Sequence, residues 1–355
     1  MKNQKAYMLT FRMIKESREK FDSFVDEMKE LAYSVDLEIV EIFEQSGMSP
    51  SPKTYLNSGK IQEIKERIIE DNVSYVIAME ELSPLQYKNL IDIFPSGIEI
   101  VDRAELIFMI FNANAKTNLG KYKVELAQFQ YELTRITGSS KALSKTGGGI
   151  GTRGLGEQKK ELDKRYMTKR VKVLKEKIDK DFKAREQRRK NRLSSKFPMI
   201  SLVGYTNVGK TSILNSLLKK DAGKVENKYF ATLEPQTKKL FLEYGKYALI
   251  SDSVGFISQL PDKLFEAFLA TIEEIKFSDL LIVVLSSDQE QADLQLKIIN
   301  NTLEKLDCSD KKKIIIRNKA DLVDNREFPY VSAKENINID VLRNKIKEAI
   351  GTEKS

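Results

Sequence analysis

The sequence predicts an α/β protein in three consecutive parts: a small α/β domain over residues 1–105, a long antiparallel helical hairpin over 106–193, and a second α/β domain over 197–355. Three observations carry this. Short β-branched runs alternate with helically spaced apolar residues through the first hundred positions, the pattern of a small, largely parallel sheet. From about Ala104 apolar residues recur at helical spacing only, in a stretch that turns strongly basic. From Met199 a buried-strand run, a glycine-rich turn and a helix follow one another directly.

In the first part, Ala6 to Phe11 reads as a strand, and Ser17 to Tyr33 as a helix through Phe21, Phe24, Val25, Met28 and Leu31. Leu37 to Phe43 alternates as a strand. Asn57 and Ser58 then cap a helix with Ile61, Ile64, Ile68 and Ile69 on one face. Val73 to Met79 and Ile98 to Val101 are further strands, separated by the break at Pro95-Ser96-Gly97. Ser58-Gly59-Lys60 resembles the end of a phosphate loop but lacks that motif's earlier glycine, so a helix cap is the reading.

In the second part, Leu126, Phe129, Leu133 and Ile136 are spaced 3, 4 and 3 apart, and Val171, Leu174 and Ile178 repeat the pattern. Two such helices predict a hairpin packed like a coiled coil. The connector, Gly138 to Glu157, holds seven glycines in twenty residues, with Lys141, Lys145 and Arg153. Gly149 to Gly154 formally spells G-x-G-x-x-G, but no strand precedes it, so a dinucleotide site is not expected there. A long glycine-rich loop with cations suits close approach to a nucleic-acid backbone. Glu186 to Lys196 reads as a polar linker or helix end.

Composition narrows the chemistry. The chain has 355 residues, 60 Lys/Arg against 52 Asp/Glu, no His and the single Cys308. Without His, Ser-His and Cys-His nucleophiles and His metal ligands are excluded, which leaves carboxylates, Lys, backbone amides and a hard cation held by oxygens. One cysteine allows no internal disulfide and fits a reducing cytoplasm. No apolar run is longer than that from Leu280 to Leu285, far too short to span a bilayer, and the N-terminus has no signal-peptide pattern. Charge is uneven: Lys159 to Arg192 holds sixteen Lys/Arg and six Asp/Glu, a balance of +10, so the rest of the +8 chain sums to −2. A solvated helical face and contact with a polyanion both fit that run. Its density, and a narrow apolar stripe without aromatics, favour a polyanion over a membrane surface.

In the third part, Gly204-Tyr205-Thr206-Asn207-Val208-Gly209-Lys210-Thr211 fits the phosphate loop G-x-x-x-x-G-K-[ST] at every fixed position. Backbone N–H groups of such a turn and the following helix N-terminus cradle phosphate oxygens. Lys210 is expected at the β/γ-phosphates and the Thr211 hydroxyl on Mg2+. Asn318-Lys319-Ala320-Asp321 follows the buried run Ile314 to Ile316, at a strand's carboxyl end. An Asp321 carboxylate can accept from both guanine N1–H and its 2-amino group, a donor pair adenine lacks, so the nucleotide is GTP or GDP.

Asp252-Ser253-Val254-Gly255 matches D-x-x-G: Asp252 is expected to hold a Mg2+-bound water, and Gly255 N–H to contact the γ-phosphate. Thr232, in Phe230-Ala231-Thr232-Leu233-Glu234, is the expected switch threonine on Mg2+ and the γ-phosphate; Thr237, the other candidate, stands too close to a strand. Ser332-Ala333-Lys334 is expected beside the guanine ring. Phe256 stands where Ras-type GTPases place the glutamine that orients the attacking water. Phenylalanine cannot do so, and the expectation is slow intrinsic hydrolysis completed by a switch segment or a partner.

With these motifs in place, the chain resembles the HflX family of translational GTPases from about Leu56 onward. Carrying the resemblance are Gly147 to Glu157, Val124-Glu125-Leu126-Ala127-Gln128, Glu81-Leu82-Ser83-Pro84, Phe230 to Leu233, and Asp252 to Ile257. The resemblance implies a Ras-like G domain behind the N-terminal domain and hairpin. It further implies binding to the large ribosomal subunit and its RNA, hydrolysis stimulated there, and splitting or rescue of stalled ribosomes under stress. A cytoplasmic protein, monomeric off the ribosome, follows. Ser253 replaces the family's usual Thr, Gln158 to Leu162 departs from the usual segment, and the C-terminal extension of some members is not expected. The alternative is an RNA-binding or remodelling factor whose G domain is regulatory, which predicts RNA binding by residues 1–196 without nucleotide.

Overall fold

The computed structural model describes residues 4–144, 155–193, 197–218, 237–243, 246–252, 255–257 and 273–351. They group into two units, one of residues 1–113 and 121–180, the other of 114–120 and 181–355.

The first unit contains the strands β1 (Gln4–Met13), β2 (Leu37–Gly47), β3 (Tyr75–Ala78) and β4 (Glu99–Asp102). They form one sheet in the order β2-β1-β3-β4, parallel throughout. Helices α1 (Arg18–Tyr33), α2 (Ser58–Glu70) and α3 (Pro84–Ile93) make the crossovers. The caps are where side chains can satisfy the first turn's free N–H groups. Ser17 accepts from Lys20 N–H, Asn57 from Lys60 N–H, and Ser83 forms a reciprocal capping box with Gln86. One core cluster joins Tyr7, Leu9 and Phe11 of β1 to Ile61, Ile64 and Ile68 of α2. The sequence predicts this alternation and the parallel sheet. It does not predict α3, and β1 runs two residues beyond the expected strand at each end.

Helix α4 (Arg103–Asn114) follows β4 directly, then α5 (Asn118–Ser144) and α6 (Leu155–Leu193). Apolar spacing suggests one continuous helical stretch from Leu106 to Ile136, whereas the chain breaks at Ala115–Thr117. There the Thr117 hydroxyl accepts from Gly120 N–H at 3.1 Å, which starts a new helix. Helix α6 continues through Glu186 to Leu193, so of the two readings of this polar stretch the structure shows the helix end. The antiparallel pairing of α5 and α6 is visible in three contacts. Arg170 makes two bonds to the Glu125 carboxylate, at 2.7 and 3.1 Å. Phe129 meets Tyr166 edge-on, and the Lys177 ammonium lies 4.7 Å from the Tyr122 ring centroid. The glycine-rich connector's residues 145–154 lie outside the described residues.

The second unit holds a five-stranded sheet in the order β6-β7-β5-β8-β9, from β5 (Met199–Gly204), β6 (Thr237–Glu243), β7 (Lys246–Asp252), β8 (Leu280–Ser286) and β9 (Lys313–Asn318). Only β6 runs antiparallel to its neighbour. Helices α7 (Lys210–Leu217) and α9 (Ile339–Gly351) cover one face through Ile213, Leu214, Leu342 and Ile346. Helix α8 (Gln289–Lys305) buries Ala292, Ile299 and Leu303. Strand β8 is buried along almost its whole length, as a strand covered on both faces must be. All parallel strands here end at one edge of the sheet, where such folds bind ligands.

Candidate functional site: a nucleotide pocket at the strand ends

Between β5 and α7 the chain makes the turn Tyr205 to Gly209. Asn207 and Gly209 take left-handed backbone conformations, with φ of 56° and 93°. Gly209 is required twice over, because a Cβ there would also collide with the Asn318 amide. At Gly204 a Cβ would collide with the Val284 carbonyl of β8. The fixed glycines of the motif therefore answer to backbone geometry and close packing.

Lys210 opens α7, and its ammonium turns back over the loop, donating to Tyr205 O at 2.8 Å and Gly204 O at 3.1 Å. Burial pushes its pKa down to about 8, against a smaller upward pull from Asp252. A point beside Gly255, where a Cβ would stand, lies 3.0 Å from Lys210 Nζ and 2.8 Å from Thr206 Cα. The D-x-x-G glycine thus packs directly on the phosphate loop. Phe256 fastens it there: Phe256 N–H donates to Gly204 O at 3.0 Å, and Thr206 N–H donates to Phe256 O at 2.7 Å.

Asp252 ends β7, buried, and accepts from the Thr211 hydroxyl at 2.6 Å. These two oxygen donors suit a hard, octahedral cation whose other ligands are phosphate oxygens and water, as Mg2+ prefers. Among the described residues no group of three or more His, Cys, Asp or Glu could hold a metal alone. The donors present thus fit Mg2+ arriving with a nucleotide better than a dedicated metal centre. Phe230 to Glu234, which includes Thr232, and Ser253 and Val254 lie outside the described residues.

On the base side, Lys319 is left-handed, φ 71°, and Ala320 N–H donates to Val331 O at 3.0 Å, which sets Asp321 at the rim. The Ser332 hydroxyl donates to Asp321 Oδ1 at 2.5 Å and accepts from Glu335 N–H at 3.1 Å. The Ser332 bond is the main reason that the Asp321 carboxyl is held below the usual range. An ionised carboxylate is what a pair of guanine N–H donors requires. Asn318 does not point outward. Its Nδ2 donates to Val208 O at 2.9 Å and its Oδ1 accepts from Ala333 N–H at 3.2 Å, stapling the phosphate loop to the Ser332-Ala333-Lys334 loop.

The structure therefore brings Gly204 to Thr211, Asp252, Gly255, Asn318 to Asp321 and Ser332 to Lys334 to one end of one sheet. Sequence reasoning missed two supporting residues. The Ser216 hydroxyl of α7 donates to Ala333 O at 3.0 Å, and Arg343 of α9 donates to Phe241 O at 2.9 Å and to Leu217 O. Neither carries a local signal, since their partners are main-chain oxygens more than 100 residues away.

Comparison with known proteins agrees with this geometry over most of the chain. Residues 22–112 match the family model described as GTP-binding GTPase N-terminal, 114–192 the GTP-binding GTPase Middle Region, and 199–319 the 50S ribosome-binding GTPase. GTPase HflX of Caldanaerobacter subterraneus subsp. tengcongensis is 39% identical over 332 residues, 92% of this chain and 77% of that one. GTPase HflX of Escherichia coli K12 is 32% identical over 303 residues, 85% and 70% of the two chains. In fold, the chain is similar to a GTP-binding protein of Sulfolobus solfataricus solved in complex with GDP, at a TM-score of 0.53 and 23% identity over 99% of this chain and 100% of that one. Among the described residues no helix is long and apolar enough to cross a membrane. The pocket is that of a guanine-nucleotide-binding protein that hydrolyses GTP, and the chain belongs to the HflX family of GTPases.

Proposed function

We propose that this GTPase docks on the large ribosomal subunit through its cationic hairpin, that docking accelerates GTP hydrolysis, and that the cycle drives dissociation or rescue of ribosomes under stress. It works in the cytoplasm, as a monomer when off the ribosome. The observation that carries this is the charge on α6. Lys164, Lys169, Lys172, Lys175 and Lys180 are all exposed along one helix, within a segment of net charge +10. Ribosomal RNA is the polyanion that such a helix fits. The description 50S ribosome-binding GTPase, attached to the family model that matches residues 199–319, supports the same partner.

In the G domain, backbone amides from Tyr205 to Gly209 and the α7 N-terminus hold the β- and γ-phosphates. Lys210 leaves the loop carbonyls to pair with them. Thr211 and Thr232 would hold Mg2+, with Asp252 assisting, and the ion would neutralise charge developing on the phosphate oxygens. Gly255 N–H holds the γ-phosphate against the loop, with Ser253 and Val254 leading into it. Phe230, Ala231, Leu233 and Glu234 form the switch that carries Thr232. Asp321 reads guanine, with Lys319 and Ala320 supporting it and Ser332, Ala333 and Lys334 behind the ring. Because Phe256 offers no side-chain hydrogen bond, turnover without the ribosome is slow.

Sedimentation with purified subunits at 50 and 200 mM salt tests the docking. Affinity for the large subunit should fall by roughly 10³-fold or more over that range if about six phosphates are contacted. Replacing Lys169, Lys172 and Lys175 by Gln should weaken binding and flatten the salt slope. Equal binding to small subunits, or no change in the triple variant, would contradict the proposal.

A further inference from the structure

The phosphate loop contains a buried hydroxyl to which the reading above gives no task. Thr206 is 4% exposed, and its Oγ1 is buried without a hydrogen-bond partner. Unsatisfied polar groups of this kind are rare in native interiors, and those that persist often serve chemistry.

Among the described residues that hydroxyl has no partner, and its position says which chemistry it serves. Thr206 N–H is taken by Phe256 O, and Phe256 N–H by Gly204 O, so the loop and the residue just after the D-x-x-G segment are paired as a short parallel bridge at Tyr205 and Phe256. The Thr206 Cα and Cγ2 both stand 2.8 Å from the place a Gly255 Cβ would occupy, which is itself 3.0 Å from Lys210 Nζ. Thr206 therefore sits where Gly255 and Lys210 converge. On the reading above, both of those face the terminal phosphate. The adjoining Phe256 is 5% exposed and has no side-chain atom that can donate or accept.

We propose that the Thr206 hydroxyl is a further catalytic group for GTP hydrolysis, hydrogen-bonded to the terminal phosphate and to the water that attacks it. It takes a part of the positioning task that Phe256 cannot perform, a part that does not by itself give fast turnover. A hydroxyl donates one hydrogen bond and accepts others, so it can hold a phosphate oxygen and a water together. It forms no bond to phosphorus and keeps its proton. The β-branch serves the same end, because Cγ2 seated against Gly255 restricts rotation about χ1 and leaves Oγ1 one direction. The inference rests on the placement of Lys210 and Gly255 at the terminal phosphate and is independent of the ribosomal partner.

The test compares the full chain with Thr206→Val, Thr206→Ala and Thr206→Ser variants. Steady-state GTP turnover is measured with and without large ribosomal subunits, beside GDP affinity. Val and Ala should lower kcat by roughly 100- to 1,000-fold, the loss expected for one transition-state hydrogen bond, with KM and GDP affinity within about twofold of wild type. Ser should keep most of the activity. Wild-type turnover in Val and Ala would overturn the proposal, as would a Ser variant as slow as Val, or GDP affinity falling in parallel with kcat. Lys210→Ala separates the two levels. If it still binds nucleotide, the phosphate placement fails and the inference with it; if it does not and Val is silent, only the inference fails.

Discussion

Asp102 and Asp252 each end a parallel strand, and both are buried, at 0% and 2% exposure. Around Asp102 the chain closes on itself. The carboxylate accepts from Tyr131 Oη at 2.5 Å, from Leu82 N–H at 3.1 Å and from Glu105 N–H at 3.0 Å. Arg135 of α5 bridges it to Glu105, and that guanidinium stacks 4.0 Å from the Tyr87 ring centroid. Around Asp252 the neighbours are a threonine hydroxyl, a glycine-rich turn and a lysine bonded to loop carbonyls. Two open parallel sheets thus offer the same kind of strand end. One is filled by an arginine of the chain and becomes the anchor of a hairpin helix. The other faces the Thr211 hydroxyl and the buried Lys210 ammonium, both of them residues of the phosphate loop. What a buried strand-end carboxylate does is therefore read from its neighbours: at Asp102 they lock a helix to the sheet, and at Asp252 they belong to a loop built for phosphate.

Four changes would break or sharpen that contrast. The largest effect is expected from Asp102→Ala, which strips Arg135 of a buried partner. Breaking such a pair costs about 3–5 kcal/mol, read as a lower urea midpoint, while GDP affinity should stay within twofold. On the substrate side, Asp321→Asn exchanges a carboxylate for an amide facing two guanine donors. Losing a hydrogen bond to a charged group lowers affinity by roughly 10- to 100-fold, measured by GDP titration, with xanthosine diphosphate binding gained.

Third, nucleotide affinity should fall as pH rises above about 8, because Lys210 has its pKa pushed down to about 8 and only its charged form pairs with phosphate. The fall is at most roughly tenfold for each pH unit, and calorimetry in buffers of different ionisation enthalpy should show proton uptake on binding. The smallest effect concerns Glu105. Burial, then the charge of Asp102, pushes its pKa up to about 7. The folded chain therefore holds this proton where the unfolded chain does not. Its stability contribution is full below the ordinary carboxylate range and is lost as pH rises to about 7. Glu105→Gln should flatten that part of the stability–pH curve, read from urea midpoints on either side of it.

The nucleotide pocket was legible in the sequence because its rules are local. A left-handed Gly209, a backbone contact at Gly204 and a helix that begins at Lys210 all fall within eight residues and leave fixed spacings. Asp252 and Asp321 were legible because each follows an apolar run that ends a strand. The anchor around Asp102 was not. Asp102, Glu105, Tyr131 and Arg135 are separated by up to 33 positions, and each by itself looks like an ordinary solvated polar residue. The staple made by Asn318 was hidden for the same reason, since Val208 lies 110 residues away. Helix α3 did leave a signal, Ser83 followed by Pro84 and Gln86, but its apolar spacing is too short to register as a period. The break before α5 turns on a single Thr117 hydroxyl, which competes with continuous helical spacing on both sides.

On the proposed reading, a phosphate loop with Phe256 in place of a water-orienting side chain waits for RNA. The measurement that meets it most directly is the GTP turnover rate of the purified chain with and without large ribosomal subunits, at one low salt concentration. Turnover by the chain alone should lie well below the roughly 1–100 s⁻¹ of dedicated kinases, with a clear rise on adding large subunits that salt abolishes. Fast turnover by the chain alone, or a rate indifferent to large subunits, would contradict it.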